Sequence, residues 1–317
     1  MFNSRFFKLL GIPFTFAHKT PLIRSYNVTY WVSSKLWEVR LLIFLTSCFK
    51  KVNIVFFCFW CNFLKLIHIK LNLLCIKGTY AMSPEEYLRT YYSQDPSFDY
   101  EEAFHLNWWQ HCYDTSKPKG SMLVIGGGPV ISSIITASKY VDSIDFTDFN
   151  ESCLSEIKLW MKGKGHNWNS YIKKALECEA LPNDLSNIEA RTKLIRDKIR
   201  DISHLNILQP NTKKTYEVVD AHFVLDCISC SKDIFLQSLQ NSCSLLNKNG
   251  IFQAAFLNRT NGWLSGNHSH DSVPLTEDEL ELYFSNIGLK VLKMASISLK
   301  EDSRTGGYIF VKAIRNT

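Results

Sequence analysis

From residue 82 onward, apolar positions recur with two periods, and the switches between them lay out alternating helices and strands. Ser83-Pro84-Glu85-Glu86 reads as an N-cap, a first-turn proline and two early acids. The helix it opens carries Tyr87 and Tyr91 on one face with Leu88 beside them. A second helix is predicted over 100–113, with Phe104, Trp108 and Cys112 inward. Leu123-Val124-Ile125 is a short buried strand that ends in Gly126-Gly127-Gly128-Pro129 and turns into a helix over 131–138. A strand over 143–147 and an amphipathic helix over 150–162, with Leu154, Ile157 and Met161 on one side, complete the next unit.

The polar stretch 163–199 holds a solvated helix in its second half and leads to a short strand ending near Asp201-Ile202. A clear apolar strand follows at 218–225, then a helix over 232–246 and a strand over 251–257. Residues 258–273 read as a long polar loop containing Trp263, His268 and His270. Thr276 caps a helix that ends at Gly288, with Leu280, Leu282 and Ile287 inside. The last two strands, 290–299 and 307–314, are joined too closely for a crossover helix and must be antiparallel. This order describes an α/β fold, a doubly wound, mostly parallel sheet with one reversed strand.

Composition divides the chain in two. Eleven Lys and Arg against the single acid Glu38 precede Met82, a balance of +10. That leaves 25 basic and 29 acidic residues after it, or −4, so the formal +6 belongs to residues 1–81. A mildly acidic globular part gives no support to nucleic-acid binding. The first 81 residues hold two apolar runs, 41–49 and 52–64, split by Lys50-Lys51. Neither reaches the roughly 18–20 apolar residues a bilayer span needs, so membrane association of residues 41–64 is not favoured. Their Phe, Lys, Asn, Ile and Leu are what A/T-rich codons specify, and Met82 would make a sensible start. The expected organisation is a basic apolar extension, 1–81, and one domain, 82–317. Ten scattered cysteines, with Cys58-x-x-Cys61 and Cys227-x-x-Cys230 the only close pairs, read as free thiols in a reducing, cytoplasmic setting rather than a metal site.

The glycine turn carries the candidate chemistry. A Cβ there would block positive φ angles and close approach by a nucleoside. An acid about 20 residues on, at the tip of the next strand, is the second requirement, and Asp148 fills it. A dinucleotide is disfavoured because Ile131 stands where the fingerprint wants a third small residue, and no Lys or Arg beside the turn meets a phosphate. An adenosine without phosphates fits better. Asp148 would accept from the ribose hydroxyls and Asp201 from the adenine amino group, and S-adenosylmethionine satisfies both.

From about Met82 to Thr317 the chain resembles the nicotinamide, phenylethanolamine and indolethylamine N-methyltransferase family. The resemblance rests on Tyr87-Leu88-Arg89-Thr90-Tyr91-Tyr92, Ile125-Gly126-Gly127-Gly128-Pro129, Thr147-Asp148-Phe149 and Ser272-Val273-Pro274-Leu275. It implies a seven-stranded Rossmann-like methyltransferase fold with an N-terminal helical lid, and a monomer acting on a small-molecule amine. It implies that Tyr87 and Tyr92 close over cofactor and substrate, that Gly126 and Gly127 pack on the methionine moiety, and that Gly128 belongs to the same cofactor-binding turn. Asp148 would hold the ribose, Asp201 and Ile202 would flank the adenine, and Cys227 would line the cofactor cavity. Tyr87 is the expected catalytic-face residue. Ser272 is the expected polar substrate contact.

The departures are Ser132 and Cys153, where the family often has Tyr and Asn, and Val124, where it has an acid. Phe256 stands where nicotinamide-type enzymes carry a substrate-holding Asp, which argues against nicotinamide as substrate. These departures also motivate an alternative, a non-catalytic relative that keeps the fold.

Overall fold

The computed structural model describes residues 82–93, 95–96, 100–260, 262–265, 268–298 and 306–316. All of them lie in one compact unit, Asn72–Thr317. The expectations for residues 1–81, including the two apolar runs and Cys58-x-x-Cys61, lie outside the described residues.

Two helices precede the sheet, α1 (Pro84–Tyr91) and α2 (Tyr100–Ser116). Ser83 caps α1 by accepting from the Glu86 N–H at 3.1 Å. Then come β1 (Ser121–Val124), α3 (Ser132–Ala137), β2 (Ser143–Asp148), α4 (Glu151–Met161), α5 (Asn169–Cys178), α6 (Leu185–Lys198) and β3 (Ile199–His204). The second half holds β4 (Tyr216–His222), α7 (Lys232–Ser244), β5 (Leu246–Leu257), β6 (Gly262–Ser265), β7 (His268–Asp271), α8 (Glu277–Asn286), β8 (Leu289–Ile297) and β9 (Tyr308–Arg315). Seven strands form one sheet in the order β3-β2-β1-β4-β5-β9-β8. β9 is antiparallel to both β5 and β8, and the other pairings are parallel. The mostly parallel sheet with its closing hairpin is therefore as expected.

Alternation along the strands builds two cores. Met122, Val124, Ile144, Phe146, Val218, Ala255 and Phe310 face the helices that precede β4. Leu123, Val219, Ala221, Phe252, Ala254, Phe256, Ile309 and Val311 face α7 and α8. The direction of the crossover changes between β1 and β4, so the strand ends there splay apart into the cleft where open α/β sheets bind ligands.

Several expectations are corrected. The polar stretch 163–199 contains two helices, because Tyr171, Ile172, Ala175 and Leu176 give α5 a buried face. The loop 258–273 contains the two-stranded ladder β6–β7. Leu282 is 58 % exposed, since α8 turns the i, i+4 pair Leu280 and Phe284 inward. Thr276 forms the full capping box with Glu279. β3 does not stop at Asp201-Ile202 but runs on to His204.

Candidate active site

The turn between β1 and α3 is built so that no side chain can enter it. Gly126 and Gly128 have φ of +60° and +59°. A Cβ on Gly126 would lie 2.2 Å from Val224 Cγ2, and one on Gly127 would lie 2.3 Å from the Phe146 ring. Backbone bonds fasten the turn to both neighbours, with Ile125 N–H donating to Asp220 O at 2.8 Å and Gly127 N–H to Thr147 O at 3.0 Å.

Asp148 completes the turn from the tip of β2. Its Oδ2 accepts from Gly128 N–H at 2.8 Å and its Oδ1 from Asn150 N–H at 2.6 Å. The side chain is 5 % exposed. Burial raises its pKa, an effect opposed by those backbone donors and by His204. Each carboxylate oxygen keeps a further lone pair for a ligand hydroxyl, so the carboxylate suits a nucleoside ribose and the glycine backbone suits close approach by its substituent.

An aromatic wall stands opposite. Tyr87 and Tyr92 have ring centroids 6.0 Å apart, and Tyr92 rests on Trp168 and Tyr171 at 5.3 and 5.5 Å. Burial raises both phenols above their ordinary range, so both stay neutral. A cavity of about 110 Å³ lies between this wall and the three glycines. Trp263 of β6 reaches it, with its ring stacked on His270 at 4.3 Å and 18°. The cavity's far side is formed by His105 and Trp109 of α2 and by Asp220 and His222 of β4.

The remaining residues expected in the site are spread more widely. Cys227 does not line the cavity, but its thiol and that of Cys153 lie close enough to raise the Tyr87 pKa further. Asp201 is exposed and paired with Asp145, three register positions from Asp148, and its Oδ2 accepts from the Ser203 hydroxyl at 2.6 Å. Ile202 packs on the first core. The residue level with Asp148 is His204. Ser272 is buried and donates to Thr260 O at 3.1 Å. Phe256 is fully buried between Phe235 and Phe284, on the sheet face away from the cavity. Strand alternation explains that placement, because Ala255 is the neighbour that faces the cavity side.

Asp220, His222 and His105 were not singled out from sequence. The signal was available, since Asp220 and His222 interrupt the apolar strand two residues apart and so share a face. Among the described residues, no group of three His, Cys, Asp or Glu could hold a metal ion.

Asp226 anchors the loop after β4, with its Oδ2 accepting from Leu257 N–H at 2.8 Å. It is fully buried, and burial pushes its pKa up to about 7. The native chain therefore holds a proton there that the unfolded chain, with a carboxyl near 3.9, has released. The contribution of Asp226 to native-state stability should fall as pH rises from about 4 to 7 and level off above that. In Asp226→Asn the difference in urea midpoint between pH 5 and pH 8 should shrink; an unchanged difference would refute the assignment.

A seven-stranded sheet in this order, with a strand-end acid holding a glycine turn, defines an S-adenosylmethionine-dependent methyltransferase. The model of the NNMT/PNMT/TEMT family matches residues 76–313, and the chain belongs to that family. It is 24 % identical over 219 residues to indolethylamine N-methyltransferase of Oryctolagus cuniculus, covering 66 % of this chain and 82 % of the relative. It is 24 % identical over 230 residues to nicotinamide N-methyltransferase of Homo sapiens, covering 68 % and 85 %. A solved S-adenosylmethionine-dependent methyltransferase from Clostridium acetobutylicum aligns at 9 % identity with a TM-score of 0.47, covering 73 % of this chain and 98 % of that one. Among the described residues, no helix is long and apolar enough to cross a membrane.

Proposed function

We propose that this chain methylates the nitrogen of a small amine or N-heterocycle by direct in-line transfer. The observation that carries the reading is the small cavity itself, closed by Tyr87, Tyr92, Trp109 and Trp263 and bounded on one side by the glycine turn. When bound, S-adenosylmethionine supplies an electrophilic methyl group on a sulfonium. The chain's part is alignment and exclusion of water, which can supply most of the rate of such a displacement. Asp148 and the glycine backbone fix the nucleoside end, and the aromatic rings present faces that favour positive charge. Tyr87 keeps its hydroxyl protonated beside the cavity and serves as wall and hydrogen-bond donor. Names of relatives such as indolethylamine and phenylethanolamine N-methyltransferase support an amine substrate. The free thiols of Cys112, Cys178, Cys227, Cys230 and Cys243 go with a reducing, cytoplasmic setting.

The test is methyl transfer by the full chain to pyridines, arylethylamines and indolethylamines. Turnover of one of these classes is expected. A protein that binds S-adenosylmethionine yet methylates none of them would overturn the substrate reading.

A further inference from the structure

β4 sends two ionisable side chains into the face that α2 covers, where its neighbour Val218 is ordinary core. Asp220 is 1 % exposed. His222 is also largely enclosed, and its Nδ1 lies 2.9 Å from Asp220 Oδ1. That closeness is not a formed hydrogen bond, because Asp220 Oδ1 and both ring nitrogens of His222 lack an aligned partner. The His105 Nε2 across from them also lacks one. Enclosing such groups without partners is unfavourable, and a ligand in the adjoining cavity would complete them. All three residues line the cavity beside the glycine turn.

The surroundings determine what that ligand can be. Trp109 packs edge-on to His222 at 4.6 Å, and Phe223 lies 5.5 Å from His105. From α2, Glu102 faces His105 at 3.7 Å, and Cys112 and Tyr113 lie within the field of Asp220. From α1 come the neutral phenols Tyr87 and Tyr92. In β5, Gln253 pairs with Asp220 in register, and β9 places Lys312 beyond Gln253. Lys312 is turned away, its Nζ donating to Cys112 O at 2.8 Å and to Thr115 Oγ1 at 2.9 Å. The cavity side of the group thus offers acids, imidazoles and aromatic rings, a setting for a compact organic cation.

We infer that Asp220 and His222 form the amine-binding and proton-accepting pair of this site, a reading that rests on the proposed methyl transfer. Asp220 pairs with the ammonium of an arylalkylamine, and His222 takes one proton from it. The nitrogen lone pair so freed forms the new N–CH3 bond as the donor's S–CH3 bond breaks, its electron pair staying on sulfur. The methylated nitrogen carries the positive charge that sulfur loses, and the imidazolium returns its proton to solvent after release. His105, beside Glu102, lines the same cavity from the helix side.

The experiment uses the full chain and 2-phenylethylamine as probe. With S-adenosylhomocysteine present, Asp220→Asn should weaken binding of the amine at least about tenfold, the loss of one charge-assisted hydrogen bond. Affinity for S-adenosylmethionine should stay within about twofold. His222→Gln should lower kcat by about 10²-fold or more, as removal of a general base does, and should abolish the acidic limb of the pH–rate profile. Raising the pH should partly restore it, because the amine then arrives deprotonated. If cofactor affinity falls while amine binding and the pH profile are unchanged, the pair belongs to the donor and the inference fails. It fails equally if neither substitution changes anything.

Should the substitutions unfold the chain, the wild-type protein decides. It must bind 2-phenylethylamine at least about tenfold more tightly than 2-phenylethanol, a preference of about 1.4 kcal/mol, and equal binding overturns the pair. Amine binding without turnover of any amine would overturn the proposed methyl transfer while leaving the binding half of this inference standing.

Discussion

Asp148→Ala should cut S-adenosylmethionine affinity by about 10²- to 10⁴-fold, the loss of two hydrogen bonds to a charged acceptor at roughly 1.5–3 kcal/mol each. The carboxylate has two roles, because it also holds Gly128 N–H and Asn150 N–H. Asp148→Asn separates them, since its amide oxygen can still accept from one backbone donor while its charge is gone. Calorimetric titration of the full chain measures both, with the melting temperature of the ligand-free protein as control for the fold. Burial raises the Asp148 pKa, so affinity should begin to fall on acidification at a higher pH than an exposed aspartate would give. Unchanged affinity in Asp148→Ala would remove the ribose from this strand tip.

The second large effect concerns stability. Phe256→Asp, which would install the acid that the resemblance to nicotinamide-type enzymes leads one to expect there, should instead destabilise the native state by about 5 kcal/mol or more. Removing a buried Phe alone costs about 3–5 kcal/mol, and the new carboxylate would have no partner between Phe235 and Phe284. Against a typical total of about 5–15 kcal/mol, that leaves little or no folded protein. Soluble expression and thermal melting check it. A variant that melts within a few degrees of wild type would show that position 256 is not enclosed by the second core.

These two residues also show what sequence can and cannot reveal. The glycine turn and Asp148 were readable because backbone geometry restricts which residues can stand there, and their separation in sequence equals one helix and the strand after it. Helical spacing marked Tyr87 together with Tyr91, whereas Tyr92 was marked only by the family motif. Phe256 was placed by matching the position of a relative's acid, without applying the strand alternation that turns it to the second core. The end of β3 was misplaced for a related reason. Polar residues continue through 203–204, so nothing in the pattern marked that β3 extends to His204 and that Asp201 sits beside Asp145. α5 was missed because its apolar face is broken by Lys173, Lys174 and Glu177 within a polar stretch. Asp220 and His222 escaped because an apolar strand draws attention to its majority, whereas the two exceptions carry the chemistry.

The position of β9 has a consequence for how the molecule comes together. Residues 308–315 pair with β5 on one side and β8 on the other, yet they follow both in the chain. Until they are available, β8 and α8 have no sheet to join, and the edge of β5 lies open with its N–H and C=O groups unpaired. During synthesis, then, β8 must wait for one late strand before it can join the sheet. That interval of exposed edge is when this chain is most open to pairing with a second copy of itself, and a chaperone that shields β5 would act then.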